Sequence, residues 1–436
     1  MHVSLLIQNA QILMPDGTFQ TGSLAIDQET IVQVGATDAT ADRTLDATGL
    51  VLLPGVIDPQ VHFREPGLEH KEDLHTASCA CVRGGVTSFL EMPNTIPLTI
   101  TQAALDDKLD RAASKSLANY GFFVGATSEN LPDLQTATPA CGIKIFMGSQ
   151  HGALLVDDET HLDPIFATGT RLIAVHAEDQ ARINDRKKEF AGTTDVAMHS
   201  VIQDSEAALN ATKLAVKLSK KYKRRLHILH LSTGIEAEYL RTDKPDWVTV
   251  EVTPQHLTVN TDDYAKLGNL IQMNPPIRSA WDNETLWQAL LDGVIDFIAT
   301  DHAPHTLEEK AKGYPYSPSG MPGVETSLAV MLTHAKAGKC TVAQVSNWMS
   351  TAVAKAYHIP NKGLIQAGYD ADLVLVDLEH FKEVKREDVL SKCGWNPFEG
   401  RSLTGWAIYT IVLGQVAFEN GKCNTEVRGK ALQFDA

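Results

Sequence analysis

Eight short apolar runs, separated by segments of helical periodicity, constrain the fold of this chain more than any other feature. Each run ends in polar residues, as buried strands do. The runs are LLPGVID before His62, VTSFLE at 86–91, YGFFVGA at 120–126, GIKIF at 142–146, RLIAV at 171–175, RLHIL at 225–229, VTVEV at 248–252 and VIDFIAT at 294–300. Apolar residues recur at helical spacing in the intervals ITQAALDDKLDRAASKSLA, SEAALNATKLAVKLSKKY and NETLWQALLDG. This alternation predicts a (β/α)8 TIM-type barrel.

The two ends of the chain are β-rich without helical intervals. Residues 4–52 alternate apolar and polar positions around the turn PDGT, and residues 362–422 contain short strands with glycine turns. We therefore expect one small β-sandwich domain built from both termini, residues 1–52 and 363–436, with the barrel at 53–362. A doubly wound open sheet also fits the length, but no G-x-G-x-x-G turn follows the first strand, so the barrel is favoured.

Charge and composition restrict the partners. A net charge of -16 argues against nucleic acid and anionic membranes, although local cations could still hold a small anionic substrate. No apolar run approaches the roughly 20 residues of a membrane span, and the N-terminus lacks the basic lead-in of a signal peptide. Six cysteines without paired spacing are expected to be reduced thiols. We therefore expect a cytoplasmic protein.

Candidate metal ligands recur where the predicted strands end, which is where a barrel of this type carries its active site. Any one histidine there has an ordinary structural explanation, whereas repetition of the pattern across independent strands favours a metal site. Neutral imidazoles and a carboxylate suit zinc or a similar divalent ion, which can polarise an amide carbonyl and acidify bound water. The candidates are His62, His176, His230 and Asp301, which follow strands one, five, six and eight, and Lys144, which lies inside strand four.

Lys144 differs from the other candidates because an ammonium group cannot bind a cation. Its neighbours Ile143, Ile145 and Phe146 should desolvate it and favour the neutral amine, which can react with carbon dioxide to give an anionic carbamate. Such a carbamate could bridge two metal ions. The alternative is a lysine at the edge of the core that pairs with an acid, and the spacing alone does not separate the two.

Several stretches resemble the dihydroorotase family of the amidohydrolase superfamily: PGVIDPQVHFREPG, EMPNT, NPPIR and ATDHAPHTLEEK, with AGYDADLVLVDL and NPFEG near the C-terminus. The resemblance implies reversible cyclisation of N-carbamoyl-L-aspartate to L-dihydroorotate at a site with one or two zinc ions. It also implies that Asp301 is a metal ligand and the general base and acid, and that His62, His176 and His230 are ligands. Lys144 matches a carbamylated bridging lysine that part of the family has.

The same resemblance implies four substrate-binding residues. Arg64 could form a forked pair with the substrate carboxylate, and Asn94 and His305 could add hydrogen bonds to it. Asn274 could hold the polar edge of the ring. Hydantoin-type and dihydropyrimidine-type relatives lack a substrate carboxylate here, so an arginine favours dihydroorotate. The alternative is another cyclic amidohydrolase, such as a hydantoinase or allantoinase, and Arg64, Asn94 and His305 together argue against it.

Gln60 departs from the His-x-His that the family usually presents at the end of the first strand. Glutamine is a weaker zinc ligand than imidazole. The site could hold two ions with Gln60 as a poor or absent ligand, hold one ion toward Lys144, His176 and His230, or have lost activity. His151 is a possible replacement ligand, although an ordinary loop histidine is the safer interpretation. A further alternative is a non-catalytic homologue that partners aspartate transcarbamoylase, and the family resemblance also allows a homo-oligomer.

Overall fold

A computed structural model describes residues 1–149 and 152–435. The strands are β1 (His2–Leu13), β2 (Phe19–Asp27), β3 (Thr30–Gly35), β4 (Thr40–Asp46), β5 (Val51–Pro54), β6 (Val56–Val61), β7 (Val86–Glu91), β8 (Asn119–Phe122), β9 (Val124–Gly125), β10 (Ile143–Phe146), β11 (Ile173–His176), β12 (Leu226–Ile228), β13 (Val248–Val252), β14 (Phe297–Ile298), β15 (Leu373–Asp377), β16 (Lys382–Glu383), β17 (Ser402–Leu403), β18 (Trp406–Val412), β19 (Gln415–Glu419) and β20 (Lys422–Cys423).

The α-helices are α1 (Leu74–Arg83), α2 (Gln102–Lys115), α3 (Leu131–Thr136), α4 (Glu159–Ala167), α5 (Gln180–Glu189), α6 (Met198–Ile202), α7 (Ser205–Tyr222), α8 (Gly234–Asp243), α9 (Pro254–Thr258), α10 (Tyr264–Leu267), α11 (Ala280–Leu291), α12 (Leu307–Lys310), α13 (Ser327–Lys336), α14 (Val342–Ser346) and α15 (Ala352–Tyr357). Short 3₁₀ segments lie at Gly152–Leu154, Thr261–Asp263, Gly268–Ile271 and Arg386–Asp388, and one π-helical turn, Asn347–Thr351, joins α14 to α15.

The described chain forms a closed parallel barrel of eight strands. Strands β6, β7 and β8 pair in order, and β9 to β14 continue the sheet. Because one residue, Phe123, separates β8 from β9, these two segments form the third barrel strand together. A parallel bridge between Val61 and His302, with the His62 amide donating to the His302 carbonyl at 2.7 Å, closes the ring. The predicted (β/α)8 barrel is confirmed.

Helix α7 illustrates how the sequence determines the outer layer. It covers the segment SEAALNATKLAVKLSKKY without loss or addition. Asp204 caps its first turn by accepting from the Ala207 amide, and the helix ends at Lys223, which has left-handed backbone geometry. The small residues Ala208 and Ala215 lie on its buried face.

The termini share a nine-stranded sheet with the order β20-β19-β18-β15-β5-β1-β2-β3, and β4 pairs with β1. Apolar side chains from the first strands, such as Ile7 and Leu24, share one core with Leu373 and Ile411 from the last strands. The sheet therefore packs against itself as a small sandwich. The exact division at residues 52/53 and 362/363 stays a prediction.

Gly55 joins the terminal sheet to the barrel, since it lies between β5 and β6. A Cβ atom at this position would lie 2.2 Å from the Thr87 hydroxyl oxygen, so the close approach excludes any side chain.

Two further predictions can be compared with the described residues. All six cysteines are free. No helix among the described residues is long and apolar enough to cross a membrane.

Candidate metal and active site

The five predicted ligands lie at the carboxyl end of the barrel strands, and all are buried. His62 directly follows β6, and His176 is the last residue of β11. His230 and Asp301 follow β12 and β14 by two and three residues, while Lys144 is the second residue of β10. Parallel strands bring their carboxyl ends to one rim, so residues distant in sequence converge there.

One group forms around Asp301. His62 Nε2 lies 3.1 Å from Asp301 Oδ1, and Gln60 Nε2 donates to the same oxygen at 3.2 Å. The other ring nitrogen of His62, Nδ1, is 2.7 Å from Asn94 Oδ1 and must donate to it. Nε2 of a neutral His62 therefore presents a lone pair on the side of Asp301.

A second group forms around His176 and His230. His176 Nε2 lies 2.7 Å from Glu178 Oε2, and His176 Nδ1 lies 2.9 Å from His230 Nε2. Because a carboxylate only accepts, a neutral His176 ring donates from Nε2 and accepts at Nδ1. His230 then donates from Nε2, which leaves its Nδ1 as a buried lone pair with no hydrogen-bond partner among residues 1–149 and 152–435.

Lys144 contacts both groups electrostatically and bonds to neither. Its Nζ is buried, has no hydrogen-bond partner in the described part of the chain, and lies 4.4 Å from the centroid of the Phe146 ring. Burial lowers the pKa of the Lys144 ammonium, and the charges of Asp301 and Glu251 only partly oppose this shift. The amine is thus more readily neutral than an exposed lysine.

Burial also sets the charge of the remaining ligands. It raises the pKa of Asp301 despite the opposing charges of Lys144, His176 and Arg64. It lowers the pKa of His62 and of His230 well below the ordinary imidazole value. His62 and His230 are therefore neutral at physiological pH, as metal coordination requires.

The backbone is strained at this rim. Arg64, His230 and Asp301 have φ values of 69°, 38° and 47°, and Ser149 has 67°. Residues other than glycine rarely occupy this region, and each such residue costs of order 1–3 kcal/mol. Strain concentrated at the strand ends is typical of a functional site, where side-chain direction outweighs backbone preference.

A basic group adjoins the first cluster. Arg64 donates from Nε to the Pro304 carbonyl at 3.1 Å, and its Nη2 lies 3.2 Å from His305 Nε2. Lys71 Nζ lies 3.1 Å from the other ring nitrogen, His305 Nδ1. Burial and the two cations hold the pKa of His305 well below its usual value, so the ring is neutral. Lys71 is also paired with Glu309 at 3.1 Å, whereas no carboxylate among the described residues pairs with Arg64. Arg64 would therefore attract an anionic substrate despite the negative charge of the whole chain.

The other predicted residues take separate positions. Asn94 directs its Oδ1 to His62. Asn274 Oδ1 accepts from His199 Nε2 at 2.9 Å, and no hydrogen bond between described residues ties it to the other candidates. His151 lies outside the described residues. No three His, Cys, Asp or Glu side chains within 1–149 and 152–435 stand close enough together to form a metal site by themselves, so ligation remains a proposal.

Sequence reasoning missed Glu178, Ser149 and Lys71. Glu178 is fully buried and accepts from both His176 and the Ser149 hydroxyl. Glu178 could have been found from the sequence, because it is an acidic residue two positions after the predicted ligand His176. Lys71 and Ser149 come from loops, whose direction no periodicity predicts.

The model of the Amidohydrolase family matches residues 51–417, and the chain belongs to this family. Within it, the chain is 33% identical to a dihydroorotase from Methanosarcina mazei over 98% of this chain and 97% of that protein. It is 34% identical to a dihydroorotase from Bacillus subtilis over 96% and 99% of the two chains. The resemblance read from the motifs is thus confirmed. Among solved structures, an L-hydantoinase from Arthrobacter aurescens has a TM-score of 0.93 at 29% identity and covers 97% of each chain.

Proposed function

We propose that this chain is a dihydroorotase, which interconverts N-carbamoyl-L-aspartate and L-dihydroorotate in pyrimidine synthesis. The observation that carries the proposal is the juxtaposition of Arg64 and Lys71 with the His62–Asp301 pair at the barrel mouth. A substrate with a carboxylate beside a cyclic amide needs a cation for the carboxylate and a proton carrier for the amide. Relatives called dihydroorotase, similar over nearly the full chain, support the assignment.

We further propose that the rim holds one or two zinc ions through His62, Lys144, His176, His230 and Asp301. The donors fit such an ion because the Nδ1 lone pair of His230 and the amine of Lys144 are buried without hydrogen-bond partners in the described chain. Carbamylation of the Lys144 amine by carbon dioxide would release a proton and supply the anionic oxygen ligand that an amine cannot. When bound, zinc supplies a Lewis acid for the amide carbonyl and the attacking water.

Gln60 determines how many ions this site can hold. Its Nε2 is engaged with Asp301, while its buried Oε1 has no hydrogen-bond partner among the residues described. The side chain therefore offers one weak oxygen donor where the family usually has an imidazole. This donor set is compatible with two ions, of which one is weakly held. It is equally compatible with one ion held toward Lys144, His176 and His230.

The chain's own residues would divide the remaining tasks. Asp301, whose pKa is raised by burial, takes a proton from water during hydrolysis and returns it to the leaving ring nitrogen. Arg64 holds the substrate carboxylate, with His305 and the amide of Asn94 beside it. Asn274 holds the polar edge of the ring. Synthesis is the reverse of these steps.

Substrate comparison on one preparation tests this function. The purified protein, with zinc content measured on the same sample, is assayed with L-dihydroorotate, with dihydrouracil, which lacks the carboxylate, and with a hydantoin. We expect activity on L-dihydroorotate with zinc bound. Preference for the hydantoin would favour the function of the Arthrobacter relative, and a metal-free, inactive protein would favour a non-catalytic partner.

Arg64→Ala tests the carboxylate contact. A lost charged hydrogen bond should raise KM for L-dihydroorotate by about tenfold or more, with a smaller effect on kcat. The matched control is Arg241→Ala, since Arg241 pairs with Asp292 on the surface. An unchanged KM in the Arg64 variant would contradict the assignment.

Cytoplasmic residence, a homo-oligomer and association with aspartate transcarbamoylase remain predictions from the sequence and its resemblance. Size-exclusion chromatography with light scattering, with and without the transcarbamoylase of the same organism, would test the two assemblies.

A further inference from the structure

A second cavity lies at the opposite end of the barrel strands from the candidate active site. It has a volume of about 460 Å³ and is lined by Arg171, Arg225, Tyr357 and the C-terminal residues Gln433, Phe434 and Asp435, among others. We call it the lower cavity. Arg171 and Arg225 precede β11 and β12, whereas His176 and His230 end or follow the same strands. The lower cavity is therefore separate from the site described above.

Among the described residues, the arginines at the lower cavity have no acidic partner. Arg171 Nη1 donates to the Leu134 carbonyl at 2.9 Å, and Arg225 Nη2 donates to the Ala356 carbonyl at 2.7 Å. No ion pair between described residues includes either of them. In a chain with 54 acidic residues and 38 basic ones, two half-buried arginines without a carboxylate are unusual, because such cations are normally paired.

Arg224 adds a third positive charge behind the cavity wall. It is 3% exposed, and its Nη1 donates to the carbonyls of Thr168 and Gly169, of which Gly169 lines the cavity. Its Nε and Nη2 have no hydrogen-bond partner within the described residues. Burial, together with the charges of Arg171 and Arg225, lowers the pKa of Arg224 to about 10. The three guanidinium groups are thus close enough to repel one another.

A buried hydroxyl also faces no partner here. Tyr357 is 2% exposed and lines the cavity, yet its hydroxyl has no hydrogen-bond partner among residues 1–149 and 152–435. Phe434 adds an aromatic face, and Asp435 is the acidic residue of the lining.

We propose that the lower cavity binds a small phosphorylated metabolite. Three guanidinium groups and one carboxylate leave two positive charges, which match the charge of a phosphate monoester dianion. The planar fork of arginine pairs two N–H groups with two phosphate oxygens, and Arg171 and Arg225 both line the cavity. The volume lies in the range of about 300–1,000 Å³ that is typical of small-molecule sites, so there is room for an organic part against Phe434.

Calorimetric titration of the full-length protein with inorganic phosphate and then pyrophosphate tests the proposal at low ionic strength. We expect saturable binding that weakens as salt is added. Arg171→Gln should weaken it by about tenfold or more. Arg386→Gln is the matched control, since it removes the same charge from an exposed pair with Glu399, and it should leave the affinity unchanged.

Two further variants keep the test decisive. Gln433→Glu adds a carboxylate at an exposed lining position without touching the core, so it should weaken phosphate binding even if Arg171→Gln folds poorly. Arg64→Ala should leave phosphate binding unchanged, which distinguishes the lower cavity from the barrel mouth. The proposal is overturned by the absence of saturable phosphate or pyrophosphate binding, or by equal weakening in the Arg386 control.

Discussion

Glu178 determines which nitrogen of His176 faces His230. Its carboxylate accepts from His176 Nε2 at 2.7 Å, so the lone pair of the neutral ring is at Nδ1, on the side of His230. Ser149 donates to the same carboxylate oxygen at 2.5 Å and fixes its direction. A carboxylate in this relation to a metal-binding histidine orients the ring and raises its basicity. Glu178 is therefore a positioning residue for the proposed zinc site.

Glu178→Gln keeps an acceptor of the same shape but removes the charge. We expect the zinc affinity, measured by competition with a chelator, to fall by about 10- to 100-fold. Glu236→Gln is the control, because Glu236 is equally buried but bonds to Thr212 and Thr233 outside the site. Equal zinc affinity in the two variants would show that Glu178 has a structural role alone.

Asp301→Asn tests the proton carrier. The amide cannot exchange a proton near neutral pH, so turnover of L-dihydroorotate should fall by about a hundred- to ten-thousandfold. The thermal unfolding midpoint should stay close to wild type, as it should in Asp292→Asn, which changes an exposed aspartate. Activity near the wild-type rate in the Asp301 variant would exclude the assigned role.

Four of the candidate ligands were predictable from the sequence because each follows an apolar run, and in a barrel all the strand ends share one rim. Lys144 lies inside its run and was suggested by its apolar neighbours. Lys71, by contrast, reaches His305 across 234 positions of sequence through the fold of a loop. The left-handed backbone of Arg64, His230 and Asp301 was equally hidden. Aspartate and histidine adopt it more often than most residues, but still at only a small minority of positions, and arginine does not favour it.

At the scale of elements, Asp372 connects the terminal sheet to the barrel. Its Oδ2 accepts from the Asn119 side chain of β8 at 2.9 Å, and its Oδ1 accepts from the Leu413 amide after β18 at 2.8 Å. Lys362 forms a buried ion pair with the same carboxylate. The backbone carbonyl of Asp372 also accepts from Gly55, the residue between β5 and β6.

Asp372→Ala should therefore loosen this connection. It leaves Lys362, whose side chain is 7% exposed, with Asp370 as its remaining partner. We expect a loss of about 3 kcal/mol in the free energy of unfolding, measured by denaturant titration. Glu379→Ala breaks the exposed pair with Lys336 and should cost less than about 1 kcal/mol. Similar losses in both variants would contradict the role of Asp372.

The strands of the terminal sheet could be anticipated from alternation and turns, but their order could not. The first strand, β1, pairs in parallel with both β4 and β5 and antiparallel with β2. Alternation shows which residues face a core and carries no information about which strand lies beside which. The break between β8 and β9 at Phe123 could not be predicted either, because the run YGFFVGA contains no charged or strongly polar residue to mark it.

At the scale of the whole molecule, the barrel separates two regions of positive charge in an acidic protein. Arg64 and Lys71 lie at the carboxyl ends of the strands, and Arg171 and Arg225 lie at the amino ends. The composition argues against nucleic acid as a partner, yet it cannot show where individual cations gather. That information comes from the closure of the barrel.

The acid sensitivity of the whole fold depends on buried neutral histidines such as His256. Its Nε2 donates to the Pro275 carbonyl at 3.1 Å, and its Nδ1 accepts from the Thr253 hydroxyl at 2.9 Å. Burial lowers the pKa of His256 from 6.5 to about 4. Between these two pKa values the unfolded chain binds the proton and the folded chain does not. The contribution of His256 to the free energy of unfolding is therefore fully present above pH 6.5 and is lost as pH falls toward 4.

His256→Gln should therefore destabilise the protein most at neutral pH. The difference in unfolding free energy from wild type should shrink by about 1.4 kcal/mol for each pH unit below the ordinary imidazole pKa. Asp58 and Glu325, whose pKa values are raised by burial to about 7, change the free energy of unfolding with pH in the opposite direction. Because wild type and variant share these two residues, their effect cancels from the difference. His161→Gln, at an exposed position of α4, is the control. If the His256 difference stays constant from about pH 7 to about pH 5, the imidazole is not held neutral by the fold.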